Sequence, residues 1–329
     1  MTQHYLTVDS LSAGELLAVL DLADELKADR RWREDLHGCS IGMIFEKPST
    51  RTRISFEVAI RELGGHPVVL NTGDLQLGRG ETIEDTARVL SRYLSAVVVR
   101  TFAQSPLELL AGAGSIPVIN ALTDFSHPCQ VLADLQTIRE YKGHLSGLKL
   151  AYLGDGNNVA HSLLRAGALT GMHVAVASPP GYEPIPQVVG VAERHAREHG
   201  GTVTVTADPL EAAADADVVY TDVWASMGQE VEHDARLLLF RPYQVGSQVM
   251  QAARPDAIVL HCLPAHRDEE IAASVLDGDQ SVVWTQAENR LHTQKALLLH
   301  LLTGGEDQRD GAQTAHLPAD APVRTPSRW

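Results

Sequence analysis

Cysteine is scarce and scattered in this chain: Cys39, Cys129 and Cys262 are odd in number, lie far apart and form no C-x-x-C. That excludes a readable disulfide framework or zinc knuckle and fits a reducing compartment. No stretch approaches the roughly 18 uninterrupted apolar residues of a membrane span. The opening MTQHYLTVDS has no basic segment ahead of an apolar one, so a cytoplasmic protein with no membrane partner is expected. Positive charge is also in short supply. With 42 acidic against 27 basic residues and a net charge of -15, the overall field repels nucleic acid, and any anion site must be a local concentration of cations. The phosphate loop G-x-x-x-x-G-K-[ST] is absent.

What is present is ordinary globular composition, 44% hydrophobic and 21% charged, over 329 residues, which at about 100–200 residues per domain suggests two domains. Ser12 and Glu15 form a capping box ahead of Leu16, Leu17, Leu20, Ala23 and Leu26 at helical spacing, so an opening helix is predicted. Short apolar runs then alternate with amphipathic segments. Strands are predicted at 41–46, 67–70, 96–100 and 117–121, and helices at 50–63, 82–94, 106–113 and 128–141. The same grammar repeats after KGHLSG, with strands at 148–154, 173–178, 202–207, 217–223 and 257–263 and helices at 158–170 and 187–199. The expected fold class is α/β with two domains, each a parallel sheet flanked by helices. Their expected extents are 1–140 and 141–285, with a last helix at 286–302 returning to the first and a Gly-, Pro- and charge-rich tail at 304–329 expected to be disordered.

Polar clusters recur at the carboxyl ends of the predicted strands, the edge where open α/β sheets bind ligands. They are STRTR at 49–53, Arg100, Asp155-Gly156-Asn157-Asn158, Asp222 and His261-Cys262. In FEKPSTRTR, Pro48 sets the entry to a helix whose first turn carries Ser49, Thr50, Arg51 and Thr52, an arrangement of N–H, hydroxyl and guanidinium donors suited to a phosphate-like anion. LGDGNN resembles a dinucleotide turn only in part: Val159 holds the third glycine position, and the next strand ends in Ser178-Pro179 rather than a carboxylate. Asn157 and Asn158 suit an amino acid better than a pyrophosphate. HPCQ at 127–130 reads either as a capping histidine or as a general acid or base. Cys262 in LHCLP reads as a buried thiol or a reactive one. Ser226-Met227-Gly228, after the strand-end Asp222, reads as a surface turn or a closing loop.

Together F-x-x-x-S-T-R-T-R, V-x-R-T at Arg100, H-P-C-Q at 127–130, H-C-L-P at 261–264 and D-x-W-x-S-M-G at 222–228 resemble the transcarbamoylase family, the last segment its ornithine branch rather than its aspartate branch. The resemblance runs from about residue 5 to 303. It implies two α/β domains, a homotrimer with active sites at subunit boundaries, no cofactor and no metal. The implied reaction moves the carbamoyl group of carbamoyl phosphate to the δ-amine of L-ornithine, giving L-citrulline and phosphate, an arginine-biosynthetic or urea-cycle-type step. By the same matching, Ser49, Thr50, Arg51, Thr52, Arg100, His127, Gln130 and Arg290 hold carbamoyl phosphate, and Gln76 reaches in from a neighbouring subunit. Cys262 and Leu263 lie near the reacting centre, Arg100, His127 and Cys262 being the implied catalytic residues. Asn158, Asp222, Ser226 and Met227 match residues around the α-amino and α-carboxylate groups of ornithine. The δ-amine must lose a proton. Cys262 takes it only as a thiolate, which cationic surroundings would favour, and bulk solvent is the alternative. Two rivals stand beside this reading: a relative that carbamoylates N-acetylornithine, putrescine or aspartate, and a catalytically silent regulatory relative. Asp222 and the S-M-G segment argue for a free α-amino acid, and the silent form's expected sign, loss of an arginine or of Cys262, is absent.

Overall fold

The computed structural model describes residues 2–71, 80–224 and 233–304. The expectations for Gln76, for Ser226 and Met227, and for the tail at 305–329 fall outside the described residues. The first part of the chain runs α1 (Ala13–Ala28), β1 (Ser40–Phe45), α2 (Thr50–Glu62), β2 (His66–Asn71), α3 (Ile83–Leu90), β3 (Ala96–Arg100), α4 (Gln104–Ala113), β4 (Val118–Leu122) and α5 (Pro128–Lys142). The second runs β5 (Lys149–Leu153), α6 (Asn158–Leu169), β6 (His173–Ala177), α7 (Pro186–His199), β7 (Thr202–Thr206), α8 (Pro209–Ala213), β8 (Val218–Thr221), α9 (His233–Phe240), α10 (Ser247–Ala252), β9 (Ile258–His261), α11 (Ala273–Leu276) and α12 (Val283–Thr303). The short helices α8 to α11 were not legible in the hydrophobic pattern, because one or two turns carry too few apolar repeats to set a period.

Both sheets are parallel, ordered β2-β1-β3-β4 and β7-β6-β5-β8-β9. Parallel strands covered on both faces must be apolar throughout, and β3, β8 and β9 are buried along their whole length. The edge strand β7, TVTVT, is exposed or half-buried instead. In each sheet the strand order reverses once, between β1 and β3 in the first and between β5 and β8 in the second. Crossover helices on opposite sides of such a reversal leave a crevice at the carboxyl edge, and both crevices open towards one another.

The two halves share a hydrophobic core in which Val131 and Leu135 of α5 cluster with Val159 and Leu163 of α6, and direct polar contacts add to it. Ser162 Oγ accepts from the His127 backbone N–H at 2.9 Å, and Asn158 Nδ2 donates to Thr123 O at 2.6 Å. Although α12 follows the second sheet in sequence, it packs against α1, α2 and α5. Leu297, Leu298 and Leu299 are buried there, and Lys295 Nζ, also buried, donates to Glu62 Oε2 at 3.1 Å. The helix begins at Val283, three residues before its predicted start, and the residue ahead of it is tied to the second sheet by Val282 N donating to Val259 O of β9.

Candidate active site

A cavity of 1190 Å³ lies where the two crevices meet, lined by residues from both sheets. The loop after β1 forms its first wall. Ser49 occupies the N-cap of α2 in extended backbone but makes no side-chain capping bond, which leaves the helix start with donors to offer. Arg51 in the first turn, Arg100 at the end of β3 and Arg290 on α12 all line the cavity. Arg290 is 3% exposed; its Nη1 donates to Gln130 Oε1 and its Nη2 to Thr52 Oγ1, each at 2.7 Å. Burial and then the neighbouring Arg290 push the Arg100 guanidinium down to about 10, which leaves it charged at neutral pH. Arg100 Nε, Arg290 Nε and His127 Nδ1 are buried without a hydrogen-bond partner among the described residues. An anion's oxygens would satisfy such groups.

His127 is the N-cap of α5, yet its side chain makes no capping bond, which removes the reading of HPCQ as a simple helix cap. Burial first, then Arg290, Arg100 and Arg51, hold the imidazole well below its usual value, so it is neutral at neutral pH. Its ring signals in NMR are expected not to titrate between about pH 6 and 8, where an ordinary histidine does. Titration centred near 6.5 would mean that the ring is hydrated and remote from the arginines. The linkage has a definite sign. The unfolded chain takes up this proton as pH falls through about 6.5 while the folded chain does not, so the stability this group contributes is present above that pH and lost below it.

The opposite wall carries Asp222, immediately after β8. Its Oδ1 accepts from Val223 N at 2.8 Å and from Cys262 Sγ at 2.8 Å, and its Oδ2 from Asn157 Nδ2 at 3.0 Å. Asn157, not Asn158, is the N-cap of α6, its Oδ1 accepting from Val159 N and Ala160 N at 2.9 and 3.3 Å. The Asn158 amide is turned towards the first sheet's loop at Thr123, though the residue still lines the cavity. The glycine of this turn has a packing reason. A Cβ on Gly156 would stand 2.3 Å from Pro184 N, so only glycine lets the two loops approach.

Cys262 corrects the expectation that its cationic surroundings favour a thiolate. Enclosure of the thiol and the Asp222 carboxylate beside it push it well above its usual range, and Arg51 only partly opposes them. The sulfur is a donor to Asp222, not a resting base. Alkylation of Cys262 by iodoacetamide, followed by peptide mass spectrometry, is therefore expected to stay slow through the range around pH 8.5 in which an ordinary thiol ionises. A half-maximal rate near neutrality would restore the thiolate.

Leu263 follows with a φ of 56°, a left-handed conformation that costs a side chain of this size on the order of 1–3 kcal/mol. Two hydrogen bonds hold it: its N–H donates to His261 Nδ1 at 2.9 Å, and its carbonyl accepts from Arg51 Nη2 at 2.7 Å. The second joins the anion wall to the opposite wall. Asp222, His261 and Cys262 also bring metal-ligating atoms within 4.8 Å of one another, but both ring nitrogens of His261 are engaged, Nε2 with Glu270 Oε1 at 3.1 Å.

Two lining residues, Lys47 and Arg236, carried no reading in the sequence. Lys47, inside FEKPSTRTR, is buried, paired with Asp124 and set 4.4 Å over the Phe102 ring. Asp155 accepts from Arg236 Nη1 at 2.6 Å, and that guanidinium also donates to Trp224 O at 2.8 Å. Asp134 and Gln286 lie behind the wall, and their only sequence trace is the i, i+4 spacing from Gln130 and to Arg290.

Fold and site together define a two-sheet α/β enzyme of the group-transfer class, with a wall of three arginines facing a carboxylate. Residues 3–140 match the model of the carbamoyl-P binding domain of aspartate/ornithine carbamoyltransferase, and residues 146–301 that of its Asp/Orn binding domain. The ornithine carbamoyltransferase of Parafrankia sp. (strain EAN1pec) is 64% identical over 304 residues, covering 91% of this chain and 96% of that protein. That of Acidothermus cellulolyticus is 59% identical over 92% of this chain and 97% of its own length. The solved structure of ornithine carbamoyltransferase from Pyrococcus furiosus, 52% identical, superposes with a TM-score of 0.89 over 93% of this chain and 98% of that one. The chain belongs to the aspartate/ornithine carbamoyltransferase family.

Proposed function

We infer that the chain is an enzyme that transfers the carbamoyl group of carbamoyl phosphate to the δ-amine of L-ornithine, yielding L-citrulline and phosphate. One observation carries this reading: a single cavity sets the guanidinium groups of Arg51, Arg100 and Arg290 against the carboxylate of Asp222. The three cations, with Ser49, Thr50 and Thr52, suit the phosphate, and Asp222 suits the α-ammonium of an amino acid whose far end must point back at the donor. Gln130 acts on the same side through Arg290.

Attack of the amine on the carbamoyl carbon builds negative charge on the carbonyl oxygen as phosphate departs. Arg100 and neutral His127 are fixed donors for that charge and need no reorganisation during the reaction. Because the Cys262 thiol is already committed to Asp222, the amine proton leaves through water rather than to a preformed thiolate. Cys262 then steadies the carboxylate that positions ornithine.

The same reading includes a homotrimer with Gln76 supplied by a neighbouring subunit, a division of the chain near residue 140, Asn158, Ser226 and Met227 around the amino acid, and a cytoplasmic step of arginine synthesis. No helix among the described residues is long and apolar enough to cross a membrane. The deciding experiment is citrulline formation from carbamoyl phosphate and L-ornithine, run beside N-acetylornithine, putrescine and aspartate. Turnover with ornithine at least about 10²-fold more efficient than with the others is expected, since N-acetylornithine and putrescine lack the α-ammonium that a site built for a charged group demands, and aspartate lacks a side-chain amine to reach the donor. Equal turnover with putrescine would remove Asp222 from α-ammonium recognition.

A further inference from the structure

The polar network behind the cavity wall has a branch point that the reaction described above does not use. Asp134, on α5, is 0% exposed, and its Oδ1 alone accepts from two primary amides, Gln130 Nε2 at 2.8 Å and Gln286 Nε2 at 2.7 Å. Each glutamine, having given its N–H to Asp134, turns its oxygen the other way. Gln130 Oε1 meets Arg290 Nη1 at 2.7 Å. Gln286 Oε1 accepts from the backbone N–H of His261 at 2.9 Å, directly before Cys262.

We propose that Asp134 is a positioning residue for the transfer: through Gln130 it orients the Arg290 guanidinium on the phosphate side, and through Gln286 it holds the turn that presents Cys262. The two subsites hang on different sheets, and this carboxyl ties them into one frame. The proposal rests on the carbamoyl-transfer reading.

Three physical points favour this over plain core packing. A primary amide can sit either way round, and an acceptor at a fixed point removes that ambiguity for both glutamines at once. A buried carboxyl is also an expensive way to fill space, since apolar groups of similar volume usually do it as well or better. Finally, burial pushes the Asp134 carboxyl up to about 7 against the hydrogen bonds from both glutamines, so what it supplies is acceptor geometry more than permanent charge. An asparagine there keeps the acceptor; a leucine does not.

The test compares full-length wild type with Asp134→Asn, Asp134→Leu and Gln286→Met. Inorganic phosphate binding is measured by calorimetry, citrulline formation by steady-state kinetics, and folding by thermal melts. Asp134→Leu is expected to weaken phosphate binding and lower kcat, each by at least about tenfold, as misplacement of reacting groups by fractions of an ångström does. Asp134→Asn is expected to recover most of both losses. Gln286→Met, which removes the arm to the Cys262 turn together with a contact to the Tyr220 hydroxyl but leaves Gln130 on Asp134, should lower kcat by a similar factor while phosphate affinity stays within about twofold. A folded Asp134→Leu with wild-type phosphate affinity and kcat overturns the proposal. So does an Asp134→Asn protein more than about tenfold impaired, even if the leucine variant fails to fold, because the acceptor it retains would then not be what matters. Wild type that makes no citrulline would sink the carbamoyl-transfer reading instead, and the calorimetric comparison would still decide whether Asp134 orients the anion wall.

Discussion

Asp222→Asn is expected to raise the ornithine concentration for half-maximal rate by about 10²-fold while carbamoyl phosphate binding stays within about twofold, since removing one partner of an enclosed charge pair costs roughly 2–5 kcal/mol. The carboxylate serves three donors at once: the Val223 N–H, the Asn157 amide and the Cys262 thiol. Asparagine preserves the shape but turns one acceptor atom into a donor, so one of those contacts becomes donor against donor. It also removes the charge that faces an α-ammonium. The phosphate-side arginines lie on the other wall and lose nothing. Steady-state kinetics with each substrate varied separately reads the split. Equal losses for both substrates would place Asp222 at the reacting centre rather than at the amino-acid end. Cys262→Ser makes the contrast. A serine hydroxyl still donates to Asp222, so a smaller loss and an unshifted pH profile are expected, and an upward-shifted profile would return the thiol to the role of base.

Arg51→Lys should lower kcat/KM for carbamoyl phosphate by about 10²-fold despite the retained charge, because an ammonium is a point donor and cannot serve two acceptors in fixed planar directions. In this structure Arg51 spends one arm, Nη2, on the carbonyl of Leu263, across the cavity. The remaining N–H groups stay directed by the same plane. A lysine has to choose between the strained Leu263 turn and the anion, so both the binding of the donor and the placement of the Cys262 turn suffer. Binding of inorganic phosphate by calorimetry checks the first effect. If phosphate affinity and turnover were both unchanged, Arg51 would be a surface residue and the anion would rest on Arg100 and Arg290 alone.

The alternation of strands and helices was legible along the chain because parallel strands buried on both faces must be apolar throughout, and runs such as AVVVR and AIVLHCL announce that directly. The gathering of hydroxyls and arginines on one cavity wall was legible for a related reason. Ser49 to Arg53 are consecutive, and a helix start gathers consecutive residues at one place whatever the rest of the molecule does. Asn157 and Asn158 show where that reasoning stops. Both stand at the start of α6, and which one caps the helix and which reaches Thr123 depends on the loop that the first sheet brings across.

Sequence by itself determined the sheet class and the composition of each strand-end cluster, since hydrophobic periodicity and helix-start chemistry act over a few residues. Tertiary structure alone decided how the clusters act on one another. The protonation of Cys262 depends on Asp222, 40 residues away, and the frame around Asp134 on Gln286, 152 residues away. Hydrogen bonds and ionisation respond to distances of a few ångströms in an enclosed medium, and separation along the chain carries no information about those distances until the sheets have packed.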